Sequence, residues 1–349
     1  MKTNRFFPAR LVLAAAALLP IMVATPPILG QANAGKLLIY TIDVEGGQAT
    51  LFVTPEKGSM LVDTGWPGFN GRDAGRIEAA MKDAGIQQID RVLITHYHMD
   101  HVGGVPNLLQ KVKVGQFVDH GDNREPGDET TPFYDAYRKA SEGKRRTVKP
   151  GDSIDVPGLN VLVLTADGEH IATVPGVTPK PNASCASEPK HEADQTENAR
   201  SAGVLITYGK FRLLDLGDLT KDKEVALVCP NNPLPRIDLY LATHHGFNLS
   251  NSKAVVDELG ARVTIMDNGA HKAGSPEAWQ TIHDASATKD IYMLHTAEGS
   301  DAAHNSAAPL VANPRGAAQD GAYFKVEANR DGSFSVMNSR TGEKNEYRP

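Results

Sequence analysis

The sequence predicts an α/β fold made of two sheet-and-helix halves, and three observations carry that expectation. Short apolar runs rich in β-branched residues alternate with segments of helical period. Over residues 36–150 the order is strand, strand, strand, helix, strand, helix, strand, which gives a sheet covered on one face. Residues 200–340 repeat that outline, although no residue-level repeat is visible.

Lys36 to Asp43 and Ala49 to Thr54 read as strands joined by Glu45-Gly46-Gly47-Gln48. Ser59 to Asp63 is a third, ending in Thr64-Gly65. Arg72 to Ala84 carries Ile77, Ala80, Met81 and Ala84 at helical spacing and stops at Gly85, a good C-cap. Arg91 to Thr95 reads as a buried strand, Val102 to Gln110 as the start of a helix, and Gly115 to Asp119 as another strand. Residues 134–150 are expected to be a helix and a basic loop, with Arg138, Lys139, Lys144, Arg145, Arg146 and Lys149 forming either a solvated helix end or a phosphate-contacting rim. Residues 167–200, with Pro175, Pro179, Pro181 and Pro189, read as a long polar insertion without regular structure.

In the second half, Ala202 to Tyr208 and Phe211 to Leu216 form a hairpin across Gly209-Lys210. Strands at Asp238 to Thr243, Arg262 to Asp267 and Ile291 to Leu294 alternate with helices at Ser252 to Leu259 and Pro276 to Ala285. Residues 321–338 suggest a last hairpin, and the polar tail from Asn338 is expected to fray.

The first residues carry Lys2, Arg5 and Arg10, then the apolar run Leu11 to Leu19, then Ala32-Asn33-Ala34. This pattern predicts a secretory signal peptide over residues 1–34, leaving residues 35–349 as one domain, periplasmic or secreted. The alternative is an uncleaved anchor, which Pro20, Pro26 and Pro27 disfavour. No later stretch is long and apolar enough to span a membrane. Cleavage would take the formal charge from −6 to −9, because the leader holds three basic residues and no acid. Such a charge gives no help in holding nucleic acid. Cys185 and Cys229 are expected to form a disulfide in an oxidising compartment, worth about 4 kcal/mol in the chain-entropy model; two separate buried thiols are the alternative. No pattern in the chain sets an oligomeric state.

The chemistry concentrates at His96-Tyr97-His98-Met99-Asp100-His101, followed by Gly103-Gly104. On an extended chain His96 and His98 project to one side, because side chains alternate with period two. One strand-end turn can thus give two imidazoles to one ion and a carboxylate plus an imidazole to a second. Such nitrogen and oxygen sets at strand ends are what zinc hydrolases require. Asp218 follows Gly217 at the end of another strand, and Leu239 to Thr243 runs into His244-His245-Gly246. His295 ends a further strand and is either a proton donor or oxyanion contact in the cleft, or a structural histidine.

These residues resemble the metallo-β-lactamase fold hydrolases. Within that family, Asp43-Val44-Glu45-Gly46-Gly47-Gln48-Ala49, Glu197-Asn198-x-x-Ser201 and His244-His245-Gly246 resemble the ComEC-type hydrolase domain, over nearly all of residues 36–300. The resemblance implies an αββα sandwich, two mixed sheets face to face with helices outside, and a dinuclear site holding one to two zinc ions. It implies His96 and His98 on the first ion, Asp100 and His101 on the second, and Asp218 bridging. His244 is the preferred last ligand, with His245 a substrate contact or a support for the ligands. Asp43 and Asp63 are expected behind the ligands. The third histidine usual on the first ion is missing; Asn198, Ser201, water or His120 are candidates to replace it. Gln48 stands where ComEC-like chains carry an acid.

The expected activity is therefore metal-dependent hydrolysis by a metal-bound hydroxide, with Asp100 orienting it and accepting its proton. A phosphodiester or other small molecule is the expected substrate. Carbonyl ester or lactone hydrolysis is the alternative, β-lactams being less favoured without the third histidine. The reading from another class is a non-catalytic metal-binding protein on the same fold.

Overall fold

The computed structural model describes residues 1–3, 35–314 and 321–349. The predicted leader and its cleavage point therefore lie outside the described residues, apart from Met1–Thr3. All elements below belong to the unit Asn33–Pro349.

The first half runs β1 (Leu37–Thr41), β2 (Thr50–Val53), β3 (Ser59–Val62), α1 (Arg72–Ala84), β4 (Gln88–Leu93), α2 (Met99–Val102), α3 (Val105–Leu109), β5 (Lys113–Asp119), α4 (Thr131–Ala140) and β6 (Arg145–Thr147). A hairpin of β7 (Ser153–Val156) and β8 (Leu159–Val163) opens the second half. Short bridges β9 (Thr165–Ala166), β10 (Glu169–His170) and β11 (Lys180–Pro181) follow. Then come β12 (Val204–Tyr208), β13 (Phe211–Asp215), α5 (Lys221–Val228), β14 (Asn231–Asn232), β15 (Leu239–Leu241), α6 (Lys253–Leu259) and β16 (Val263–Met266). The chain closes with α7 (Pro276–Asp284), β17 (Asp290–His295), β18 (Val311–Asn313), β19 (Phe324–Ala328), β20 (Phe334–Asn338) and β21 (Lys344–Tyr347).

The strands form two large sheets, ordered β21-β20-β19-β1-β2-β3-β4-β5-β6 and β18-β17-β16-β15-β13-β12-β8-β7. Each switches from antiparallel to parallel pairing: β1-β2-β3 precede parallel β4-β5-β6, and β7-β8-β12-β13 precede parallel β15-β16-β17-β18. Both sheets thus share one change of pairing along their strand order.

Alternation along each strand builds the layers. Leu37 and Ile39 of β1 enter the core between the sheets, with Val161, Ile206 and Ile265 of the second sheet. Leu38 and Tyr40 point the other way and pack with Ile77 and Met81 of α1. A matching outer core joins Leu214 and Tyr240 to Val255 and Ile282 of α6 and α7. Buried on both faces, these strands read as near-continuous apolar runs. The result is the αββα sandwich that the resemblance implied.

Several expectations are corrected. The basic loop is strand β6, and Arg145 is a structural cation: its Nε donates to Asp119 Oδ2 at 2.7 Å and its guanidinium lies over Tyr137. The insertion is not structureless; Asn182 donates to Ala254 O at 2.9 Å, Glu188 accepts from the Ala254 N–H at 2.8 Å, and Cys185 and Cys229 are joined as a disulfide. The β7-β8 hairpin and α5 have no counterpart in the sequence reading. The last hairpin joins β1 in the first sheet rather than the second half's own sheet. The tail does not fray: β21 pairs with β20, Tyr347 stacks on Phe334, and its hydroxyl meets Tyr292 at 2.7 Å and Asp290 at 2.6 Å.

Two outcomes follow from this packing. Tyr347→Ala should cost about 3 kcal/mol in chemical denaturation, as for other large-to-small core changes, and Tyr347→Phe about 1 kcal/mol. Glu224, buried beneath α6, accepts the Asn251 and Ser252 N–H groups, and burial nevertheless raises its carboxyl to about 7. A raised acid stabilises the fold below its unfolded value near 4.5 and loses that contribution as pH rises through 7. Denaturation of metal-free protein from pH 5 to 8 should therefore show Glu224→Gln gaining on the wild type as pH rises.

Candidate metal centre

The parallel strands of both sheets end at one edge, where loops after β4, β13, β15 and β16 meet. After β4, Thr95 is tied to Asp63: its N–H donates to Asp63 Oδ1 at 2.8 Å and its hydroxyl to Asp63 Oδ2 at 2.6 Å. The chain stays extended here, so Tyr97 turns outward onto Tyr134 while His96 and His98 turn inward, His96 Nε2 lying 3.0 Å from His98 Nδ1. His98 is the N-cap of α2, which carries Asp100 and His101. After β13, Gly217 adopts φ +57°, and a Cβ there would lie 2.9 Å from Thr95 Cβ. Only glycine can deliver Asp218 at that separation.

The four inward histidines are oriented by what lies behind them. His101 Nδ1 meets Asp63 Oδ2 at 2.7 Å, and His245 Nδ1 meets Asp267 Oδ1 at 3.1 Å. His96 Nδ1 meets the Thr95 hydroxyl at 3.0 Å, and His98 Nε2 meets Glu125 Oε2 at 3.2 Å. We assign each outer nitrogen as the N–H donor, which leaves each inner nitrogen a lone pair. His101 Nε2 and His245 Nε2 then face one another at 3.2 Å. Asp218 Oδ2 lies 3.2 Å from His101 and Asp100 Oδ2 lies 3.4 Å from His245. Asn198 Oδ1 lies 2.8 Å from His98 Nδ1.

Asp100, His101, Asp218 and His245 offer ligand atoms within 4.8 Å of one another, all buried. Among the described residues, buried Asp218 Oδ1 has no hydrogen-bond partner, and His245 Nε2 lies 3.4 Å from it. Acceptors gathered in a dry pocket need positive charge, and nitrogen and carboxylate donors suit divalent transition metals. The residues fit a metal centre.

Electrostatics point the same way. Burial opposes charge on Asp100, yet Lys272 and His101 hold its carboxyl well below the usual range. Burial likewise opposes charge on Asp218, and His101, His244 and His245 override it. For His101 and His245, burial is outweighed by the facing carboxylates, so both are driven towards the protonated form. The carboxylates facing these two rings thus favour positive charge in this space.

Of the predicted residues, the structure brings together His96, His98, Asp100, His101, Asp218 and Asn198, with Asp63 behind His101. Ser201 Oγ accepts the Asp218 N–H at 3.2 Å. The order of the histidine pair is the reverse of that expected. Both residues adopt left-handed backbone, φ 57° for His244 and 56° for His245, so the tight turn drops the second ring into the four-residue group. His244 instead lines the cleft, with Nε2 3.3 Å from Asp218 Oδ2. Non-glycine residues in this region carry strain of about 1–3 kcal/mol each, and strain of this kind clusters at functional sites.

Three other expectations are corrected. His295 does not face the cleft: fully buried at the end of β17, its Nε2 meets Asp43 Oδ1 at 2.8 Å. Asp43 accordingly supports His295 and Arg76, whose guanidinium lies 3.0 Å away, rather than a metal ligand. His120 turns to Glu197 Oε2 at 2.9 Å and takes no place among the inward atoms. Sequence reasoning missed Asp267, Glu125 and Lys272. Asp267 follows the same pattern as Asp63 and Asp218, an acid just past a strand, and was open to recognition. Glu125 and Lys272 sit in loops that carry no such signal. Gln48, in the acid's place, donates to buried Asp215 at 2.7 Å and joins the two sheets' loops.

Residues 43–185 match the metallo-β-lactamase superfamily. The chain is similar to an atrochrysone carboxyl ACP thioesterase of Pseudocercospora fijiensis, 33% identical over 141 residues, covering 40% of this chain and 34% of the relative. It is also similar to ComE operon protein 3 of Bacillus subtilis, 25% identical over 244 residues, covering 65% of this chain and 28% of the relative. The chain thus spans about a third of the length of these relatives. Among solved structures it resembles the metallo-β-lactamase fold protein YhfI of Bacillus subtilis, with TM-score 0.45, 11% identity, and 74% and 96% of the two chains covered.

If Asp267 fixes the His245 tautomer, Asp267→Ala should lower the affinity of one bound ion about 10- to 100-fold, the usual effect of losing such a support. Chelator competition monitored by metal content reads this directly, and Asp267→Asn should retain part of the affinity.

Proposed function

We propose that this chain, whose residues 43–185 match the metallo-β-lactamase superfamily and whose wider sequence is similar to ComE operon protein 3, is an exported zinc-dependent hydrolase acting on a phosphodiester. The observation that carries the reading is the inward set of histidine ring nitrogens and carboxylates gathered around one buried space. His96, His98 and Asn198 would hold one ion, Asp100, His101 and His245 a second, with Asp218 between them. The histidine-rich set favours zinc. When bound, such a pair lowers the pKa of a shared water towards 7 and offsets negative charge developing on the attacked centre.

The chain's own residues supply the rest. Asp100 is kept ionised by Lys272 and is placed to accept the proton of the attacking water. Lys272, packed 5.0 Å from the Trp66 ring centroid, gives the cleft a fixed cation for an anionic substrate. His244 is positioned on the cleft wall to hydrogen-bond the substrate. The Cys185–Cys229 disulfide and the N-terminal pattern support export. The acidic chain argues for a small phosphodiester over tight binding of a nucleic-acid polymer.

A second reading, hydrolysis of a carbonyl ester, is favoured by the likeness to an ACP thioesterase. A metal-binding protein without catalysis is disfavoured by the presence together of His96, His98, Asp100, His101, Asp218 and the His244-His245 pair.

Protein from metal-replete expression should contain one to two zinc ions per chain, and none at all would overturn the reading. A panel of bis-p-nitrophenyl phosphate, a lactone, an acyl thioester and nitrocefin should give turnover highest on the first. Asp100→Asn should lower kcat about 10³-fold, within the range for losing a general base, while the fold persists. Turnover undiminished by that change would remove Asp100 from its role.

A further inference from the structure

Large apolar side chains are rarely exposed among the described residues. The exposed ones are Met1, Phe69, Phe247 and Leu249. Phe247 and Leu249, 37% and 50% exposed, lie on the wall of the cleft that opens over Asp100, Asp218 and His244, a cavity of about 360 Å³. Trp66 and Met99 extend the same apolar wall.

The loop carrying them is held rigidly. The Phe247 N–H donates to His244 O at 2.8 Å, Phe247 O accepts from Asn251 Nδ2 at 3.2 Å, and Leu249 O accepts the Lys221 N–H at 3.0 Å. The Ser250 hydroxyl donates to Leu219 O at 2.7 Å. The Phe247 ring lies 5.2 Å from that of His244, next to the ligand group. Apolar surface fixed in water without a partner is costly, and a paired patch on a pinned loop marks a surface that is covered in use.

We infer that the cleft takes a small-molecule substrate bearing an apolar group beside its hydrolysed bond, and that Phe247 and Leu249 select it. The inference rests on the hydrolase reading and specifies its substrate class. The occupant follows from how the cleft is divided. Its floor gathers the carboxylates, the ligand nitrogens and the Lys272 ammonium, and its outer wall is apolar. A molecule that fits both has an anionic or polarised head directed at the floor and a hydrocarbon or aromatic arm lying along Trp66, Phe247 and Leu249.

Calorimetric titration of the zinc-loaded protein with n-alkyl phosphates from methyl to octyl, and in parallel with n-alkyl carboxylates, tests this. Affinity in one or both series should rise about threefold per methylene, somewhat less than full burial of each methylene would give. The Phe247→Ser/Leu249→Ser double variant should flatten that slope, while Phe69→Ser, altering an exposed apolar residue outside the cleft, should keep it. No slope in the wild type, an equal slope in the double variant, or a slope lost equally in Phe69→Ser overturns the inference. So does sedimentation with phosphatidylglycerol vesicles combined with a flat slope for monomeric ligands, which assigns the patch to a membrane surface. A slope that obeys the prediction in a protein inert towards every chromogenic substrate would leave this binding surface in place and sink the hydrolase reading instead.

Discussion

The arrangement of this protein depends on one electrostatic constraint. The inner nitrogens of His96, His98, His101 and His245 and the carboxylates of Asp100 and Asp218 face a common space that water barely reaches. Acceptors and negative charges so placed repel one another unless positive charge stands among them. Every feature around the site manages that cost. Asp63 and Asp267 hold the outer nitrogens of His101 and His245, Lys272 lies against Asp100, and the facing carboxylates drive His101 and His245 towards the protonated form. A divalent ion would supply the same positive charge among the inner nitrogens and carboxylates.

Delivering the ligands is the task of the fold. The switch from antiparallel to parallel pairing in each sheet sends successive strands in one direction, so that loops carrying ligands open at one edge. Buried polar ties then lock these loops to each other. Glu197 accepts the Tyr97 N–H at 3.2 Å, receives His120 at 2.9 Å, and fixes the loop of Arg124 through its N–H at 2.6 Å. Glu125 on that loop reaches His98. The insertion supplies Glu197 and Asn198, and its docking on α6 and the disulfide to Cys229 restrict its freedom. A segment that looked like a loose loop thus contributes a candidate ligand, because side-chain hydrogen bonds rather than regular backbone pairing order it.

Much of this was legible in the chain. The helix at 72–84 and its Gly85 cap, the strand preceding the histidine cluster, and the facing of His96 and His98 all follow from local periodicity, which needs no knowledge of distant residues. Asp218 stood out as an acid after a glycine at a strand end, whereas Asp63 and Asn198 were reached through motif resemblance. The errors share another cause. Arg145 and Tyr347 looked like solvent-facing or frayed positions because their partners, Asp119 and Tyr137, Asp290 and Tyr292, come from other strands and from a helix. His295 ends a strand just as His96 follows one, but Asp43 lies against it and no cleft does.

The sequence by itself carried the cluster of histidines and carboxylates, the alternation of strands and helices and the glycine before Asp218, since each is written in residue type and short-range spacing, whereas the layering of the sandwich came from the family resemblance. The tertiary structure decided which of two adjacent histidines enters the site, that Asn198 rather than His120 stands beside His98, and which carboxylates orient the rings. Those choices turn on left-handed backbone at His244 and His245 and on partners about a hundred or more residues apart in sequence, such as His98 with Asn198 and His101 with His245. Such contacts exist only once the two sheets have closed on one another, so no local pattern can encode them.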